Sequence, residues 1–194
     1  MKYRREFFRQ LIHASGIIFI IISTHLNSLQ MLLLSVLAAA AGEVIFRIDR
    51  IHYIPLLSGI LRGCRRNTSE RGFIYYFLGM AVTYAIFGFS MDIANGAIVI
   101  LTLGDSFSTI IGREYGKHRL PFNRDKSIEG SLAFAFSGFI GALFITGPLP
   151  ALTGAVTGAL VEAYTPVEDN LTIPVFTGAA ILLSGHIMGA PSLL

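Results

Sequence analysis

The sequence predicts an all-α integral membrane protein of about seven transmembrane helices, N-terminus cytoplasmic and C-terminus outside. Three observations predict it. The first is composition. Hydrophobic residues make up 53% of the chain and charged residues 14%, and the mean hydropathy is +0.65. A water-soluble chain of 194 residues needs more charge to cover its surface. The second is a series of apolar stretches at 8–26, 29–46, 72–90, 92–112, 130–148, 149–164 and 171–190, each close to the ~20 residues that carry a helix across hydrocarbon. The third is where the cations fall. Lys2, Arg4, Arg5 and Arg9 precede or open the first span. Arg47, Arg50, Arg62, Arg65, Arg66 and Arg71 separate the second from the third, and Arg113, Lys117, Arg119, Arg124 and Lys126 separate the fourth from the fifth. All 15 Lys and Arg thus lie on one side of a seven-span chain, and the positive-inside rule makes that side cytoplasmic.

Each span has its own signals. The first begins behind a basic segment and runs through Ile17–Ile22, and Ser23-Thr24-His25-Leu26 offers no small-x-small cleavage site, so it reads as a retained helix and not a signal peptide. The second carries Glu43 and Arg47 at i, i+4, the spacing of a helical ion pair. The loop after it contains an amphipathic piece, 52–61, suited to the membrane interface. The fourth span carries Asp105 and the sixth closes on Glu162. Short polar breaks at 24–28, at Ser90-Met91 and at Gly147-Pro148 form the outer turns. Cys64 is solitary, which excludes a disulfide within the chain. No internal repeat is visible, and an odd span count argues against a two-fold transporter repeat. The chain reads as a single membrane-embedded catalytic domain, 1–194. Its net charge of +3 is met by a cytoplasmic location and an anionic leaflet, with no need of nucleic acid.

Chemistry concentrates between Leu103 and Ser131. Asp105 is a carboxylate in an apolar segment, where a charge costs roughly 2.5–3.5 kcal/mol even on mild scales and marks a functional site. Asp105, Ser108, Thr109 and Gly112 fall at i, i+3, i+4 and i+7, on one helical face, with Ser106 beside them. The face ends at Gly112-Arg113 and passes into a basic, glycine-bearing loop that suits an anionic, phosphate-bearing ligand. Gly112-x-x-x-Gly116-Lys117 is not a Walker A loop. It is one residue short, and His118 stands where Ser or Thr belongs.

Lys126 can meet phosphate as a point charge. Ser127 can cap the fifth span, whose free amides, with Gly130, face an anion. Glu129 sits in the first turn. Gly154, Gly158 and Glu162 follow at four-residue steps, which turns Glu162 toward a neighbouring helix. Glu168, Asp169 and Asn170 follow in a loop without a cation. Oxygen donors of this kind suit Mg²⁺, which takes one or two carboxylates plus substrate phosphates.

In order along the chain, Asp105 with Gly112, then Lys126-Ser127-x-Glu129-Gly130, then Glu162-Ala163 and Glu168-Asp169-Asn170-Leu171-Thr172-Ile173-Pro174, resemble the polyprenol kinase family of dolichol, phytol and farnesol kinases and the CTP-dependent diacylglycerol kinase of yeast. Glu6-x-x-Arg9-Gln10-x-x-His13 resembles that family's N-terminal signature, with Gln10 where the family has Lys. The resemblance implies an integral membrane kinase with CTP as phosphoryl donor, a divalent cation and a long-chain lipid alcohol as acceptor. Transposed to this chain, it makes Asp105 and Glu129 the catalytic candidates and assigns nucleotide to Lys126, Ser127, Gly130, Arg113, Arg9 and Gly112. Metal falls to Asp105, Glu162 and Asp169, and substrate to Ser108, Thr109 and Asn170. A CTP:phospholipid cytidylyltransferase is the alternative, although its Gly-His-Gly-Gly-x-x-Asp-Arg run is absent. A small ion-coupled transporter is a further one. Short loops and small size suit a prokaryotic cell membrane with the active site on the cytoplasmic face.

Overall fold

The computed structural model describes residue 13 and residues 16–51, 71–165 and 168–187. Glu6, Arg9 and Gln10 of the N-terminal signature and the amphipathic piece at 52–61 lie outside the described residues. Within them the chain forms seven helices and no strand: α1 (Ile17–Ser23), α2 (Ser28–Ile51), α3 (Gly72–Phe87), α4 (Met91–Glu114), α5 (Ile128–Thr146), α6 (Pro148–Tyr164) and α7 (Asp169–Ile187). The last six coincide with the expected second to seventh spans within a few residues, and α1 is the described part of the first. Among the described residues four stretches are long and apolar enough to cross a bilayer: Ser28–Asp49, Met91–Glu114, Ile128–Thr146 and Asp169–Ile187. Gly72–Phe87 is apolar but shorter.

Local chemistry explains the boundaries. Asn27 Oδ1 accepts from the Gln30 amide at 2.9 Å and Gln30 Oε1 accepts from the Asn27 amide at 3.0 Å, a reciprocal cap that opens α2. That helix runs past the expected 46 to Ile51, and across its last turns Arg47 Nε donates to Glu43 Oε1 at 2.9 Å. Ser127 accepts from the Gly130 amide at 3.1 Å and caps α5. The α5–α6 hairpin turns on Gly147, whose φ of 82° is one that L side chains rarely adopt, and Pro148 then occupies the first helical position of α6.

α4 is the central helix. Ile93, Ala94, Ala97, Ile98, Ile100 and Leu101 are fully buried, so the first half of this helix is enclosed by its neighbours. The periphery is apolar as well: Phe144 is 89% exposed and Phe136 70%, which suits lipid and not water. Small residues let the helices close in. A Cβ on Gly104 or Gly158 would come 2.7 or 2.8 Å from the Phe134 ring, the close approach that membrane bundles use.

One such contact shapes the functional end. Pro174 lies inside α7 and has no N–H to offer the Asn170 carbonyl. That carbonyl faces Gly79 of α3, where an added Cβ would stand 1.9 Å from it. Gly79→Ala is therefore expected to push α7 off α3 and to cost roughly 1–3 kcal/mol as overpacking. A drop in melting temperature measured by circular dichroism in detergent checks this.

Candidate functional site

The expected polar face of α4 opens into a cavity of about 890 Å³ at one end of the bundle, within the size range of small-molecule sites. α4 supplies Asp105, Ser108, Thr109, Gly112 and Arg113. The loop between α4 and α5 supplies Arg119, Asn123, Arg124, Asp125, Lys126 and Ser127. Gly130 and Ser131 come from α5, Glu162 from α6, Glu168 from the loop before α7, Asp169 and Asn170 from α7, and Gly72 from α3. Segments far apart in sequence thus meet where the charged motifs fall.

Lys126 is the hub. Its Nζ donates to Glu162 Oε1 at 2.6 Å and to Asp169 Oδ2 at 3.0 Å. Burial works against its charge, but Glu162 and then Asp169 outweigh it, and the ammonium's pKa is pushed above the ordinary lysine value. It stays protonated throughout the physiological range. Glu162 is 2% exposed. Its Oε1 also accepts from Ser108 Oγ at 3.1 Å, whereas its Oε2 is buried with no hydrogen-bond partner. A buried carboxylate oxygen left unpaired is costly, and here it belongs to a residue that lines the cavity.

The loop that carries the cations is tightly folded. Arg119 and Ser127 form an isolated antiparallel bridge. The Leu120 amide donates to Lys126 O at 3.1 Å, and the Ile128 amide to His118 O at 2.9 Å. Asn123 Nδ2 donates to Ala163 O at 3.2 Å, and Phe122 stacks on Tyr164 with centroids 3.9 Å apart. These two contacts fasten the loop to the end of α6. Glycines permit the fit: a Cβ on Gly116 would stand 2.1 Å from Gly112 O, and one on Gly112 would stand 3.1 Å from Ser127 Oγ.

The structure brings together Asp105, Ser108, Thr109, Gly112, Arg113, Lys126, Ser127, Gly130, Glu162, Asp169 and Asn170. It leaves Glu129 out of the lining. The Glu129 carboxylate accepts from the Lys117 and His118 amides at 3.2 Å and lies 2.7 Å from His118 Nδ1, so its geometry is that of a clamp on the loop. Ser127 and Asn170 line the cavity with hydrogen bonds already made. Asn170 Oδ1 meets His13 Nε2 at 3.2 Å and its Nδ2 donates to Gly72 O at 3.4 Å. Sequence reasoning did not single out Arg119, Asn123, Arg124 or Ser131 as site residues, although the first and third are visible as part of a basic loop.

Among the described residues no three His, Cys, Asp or Glu side chains gather into a metal-holding cluster. Glu162 and Asp169 instead share the Lys126 ammonium, and Glu162 Oε2 is the buried oxygen left without a partner.

No family model matches the chain, and no solved structure matches it. It is 29% identical to an uncharacterized protein of Methanocaldococcus jannaschii, over 88% of this chain and 89% of the relative. It is 34% identical to a probable chloroplastic phytol kinase of Oryza sativa, over 54% of this chain and 40% of that protein. It is 29% identical to the chloroplastic farnesol kinase of Arabidopsis thaliana, over 63% of this chain and 47% of that protein. The chain spans less than half the length of these two kinases. The chain is thus similar to phytol and farnesol kinases, the kinds of kinase that its motifs resemble.

Proposed function

We propose that this protein is an integral membrane kinase that transfers the γ-phosphate of CTP to the hydroxyl of a long-chain isoprenoid alcohol. The observation that supports this reading best is the meeting of Asp105, Lys126, Glu162 and Asp169 with Arg113, Arg119 and Arg124 in one cavity. Carboxylates and cations side by side at one end of an apolar bundle suit a polyphosphate, its counter-cation and an alcohol head group. The kinase names of the relatives support the acceptor class. In this reading all seven helices span the membrane. The cavity faces the cytoplasm because every cation lies on that side of the chain, the N-terminus is cytoplasmic and the C-terminus outside. A prokaryotic cell membrane is the proposed location.

The reaction is in-line displacement. The alcohol oxygen forms a bond to the γ-phosphorus, the bond from that phosphorus to the β-bridging oxygen breaks, and CDP leaves with the electron pair. Such a loose transition state asks mainly for positioning and charge neutralisation. Arg113, Arg119 and Arg124 hold the phosphates. Lys126 fixes Glu162 and Asp169 and adds positive charge at the cavity wall. Asp105 orients the hydroxyl and takes its proton. Asp105, Glu162 and Asp169 would hold Mg²⁺, which supplies neutralisation of the phosphate oxygens when bound. The isoprenoid tail stays among lipid chains, so only the head group needs to be fixed.

The test incubates purified protein in detergent with Mg²⁺ and γ-labelled CTP or γ-labelled ATP, together with phytol, farnesol, geranylgeraniol, polyprenols or diacylglycerol. Label from CTP in an extracted isoprenoid alcohol is the expected result. Label from ATP alone removes the nucleotide assignment. Label only in diacylglycerol removes the acceptor class. No γ-label, but transfer from α-labelled CTP to phosphatidic acid, replaces the kinase by a cytidylyltransferase.

A further inference from the structure

We infer that His13 is a positioning residue for Asp105, an inference that rests on reading the cavity as the phosphoryl-transfer site. His13 is not part of the cavity lining. Its imidazole sits behind Asp105, in the wall where α3, α4 and α7 converge, and each side of the ring is engaged. The face packs on Tyr76, centroid to centroid 4.3 Å, and Tyr76 is itself pinned by a 2.7 Å hydrogen bond between its hydroxyl and Thr102 Oγ1.

At one edge Nε2 lies 3.2 Å from Asn170 Oδ1. The other end of that amide donates to Gly72 O, which fixes the amide's orientation and makes Nε2–H the donor to Oδ1. At the opposite edge Nδ1 lies 3.3 Å from Ser106 Oγ and 3.9 Å from Asp105 Oδ2. Nδ1 is then the acceptor, and the Ser106 hydroxyl, which also lies 2.7 Å from Thr102 O, supplies its proton. A histidine that merely fills space requires one satisfied nitrogen and a packing partner. Here polar groups from two helices meet opposite edges of one ring, and the α4 edge faces the carboxylate at the centre of the cavity.

The ring therefore ties the start of α7 to Ser106, the residue next to Asp105 on α4, and through that turn sets where the Asp105 carboxylate stands. Groups that orient a reacting side chain matter because a shift of about 1 Å costs on the order of 10²-fold in rate, and loss of an orienting partner costs roughly 10–100-fold in comparable sites.

The test compares the full-length chain with His13→Ala, His13→Asn and His13→Gln in detergent, using γ-labelled CTP and the acceptor alcohol found above, with thermal melting followed by circular dichroism. The side-chain amide of asparagine falls near the place of Nδ1, where its oxygen accepts as Nδ1 does, and that of glutamine falls near Nε2, where its nitrogen donates. The expected result for His13→Ala is a fall in kcat of at least about tenfold, with KM for both substrates within threefold. His13→Asn, which retains a polar atom toward Asp105, recovers more of kcat than His13→Gln. Unchanged kcat, a loss confined to KM or melting temperature, or equal recovery by the two amides overturns the inference. If His13→Ala does not fold, the two amide variants decide between them, and failure of all three to fold makes the residue structural. Full turnover by Asp105→Asn removes the active-site reading itself, and lack of turnover in the parent protein removes both.

Discussion

Asp105→Asn lowers kcat by roughly 10²–10⁴-fold, the range for loss of a positioned general base, and leaves the protein folded and inserted. The substitution keeps the shape of the side chain and removes only its charge and basicity. Asp105 stands on the cavity face of α4, the most deeply packed helix, with His13 behind it. Among the described residues its carboxylate makes no lysine or arginine pair like that of Glu162 with Lys126, so the loss falls on turnover and not on stability. A charge at membrane depth is itself costly, and the melting temperature is expected to stay constant or rise. Steady-state kinetics and circular dichroism melts of the same preparation check both halves. Turnover within threefold of the parent would exclude Asp105 from the chemistry.

Lys126→Met has the larger effect on stability. It strips the counter-charge from Glu162, which is 2% exposed, and from Asp169. Breaking a buried pair by removing one partner costs about 3–5 kcal/mol because a buried charge is left uncompensated. The partial exposure of the ammonium puts this site at the lower end of that range. Both activity and melting temperature fall. Adding Glu162→Gln removes the stranded charge, so the double variant recovers melting temperature without recovering activity. If the two losses in stability instead add, the pair is not coupled, and Lys126 has no organising role.

The helices were legible because hydropathy and length decide them. Runs of apolar residues between Pro, Gly and charged loops leave a bilayer-spanning chain little choice. The face holding Asp105, Ser108, Thr109 and Gly112 was legible too, since one helix's geometry fixes it and all four residues line the cavity. What spacing could not supply is pairing across the fold. Nothing local says that the Lys126 ammonium lies between Glu162 and Asp169, 36 and 43 residues away, or that His13 meets Asn170 across 157 residues. Glu129 shows the limit most clearly. The resemblance made it a catalytic candidate, while the fold of the 115–127 loop turns the Lys117 and His118 amides onto its carboxylate, a contact that spacing does not reveal. Arg119 and Arg124 were visible as charges of a basic loop suited to an anion, but spacing did not single them out within it.

The contacts that complete the cavity also set a time at which it can first exist. Asp105 and Lys126 leave the ribosome well before Asp169 and Asn170, and at about 5–20 residues per second the interval lasts several seconds. Through that interval the Lys126 ammonium has one carboxylate partner at most, and the His13 ring lacks its anchor on α7. A nascent chain therefore carries most of the charged groups but not the arrangement that would let them act. Competence arrives in a single step, when the helix that begins at Asp169 docks against its neighbours.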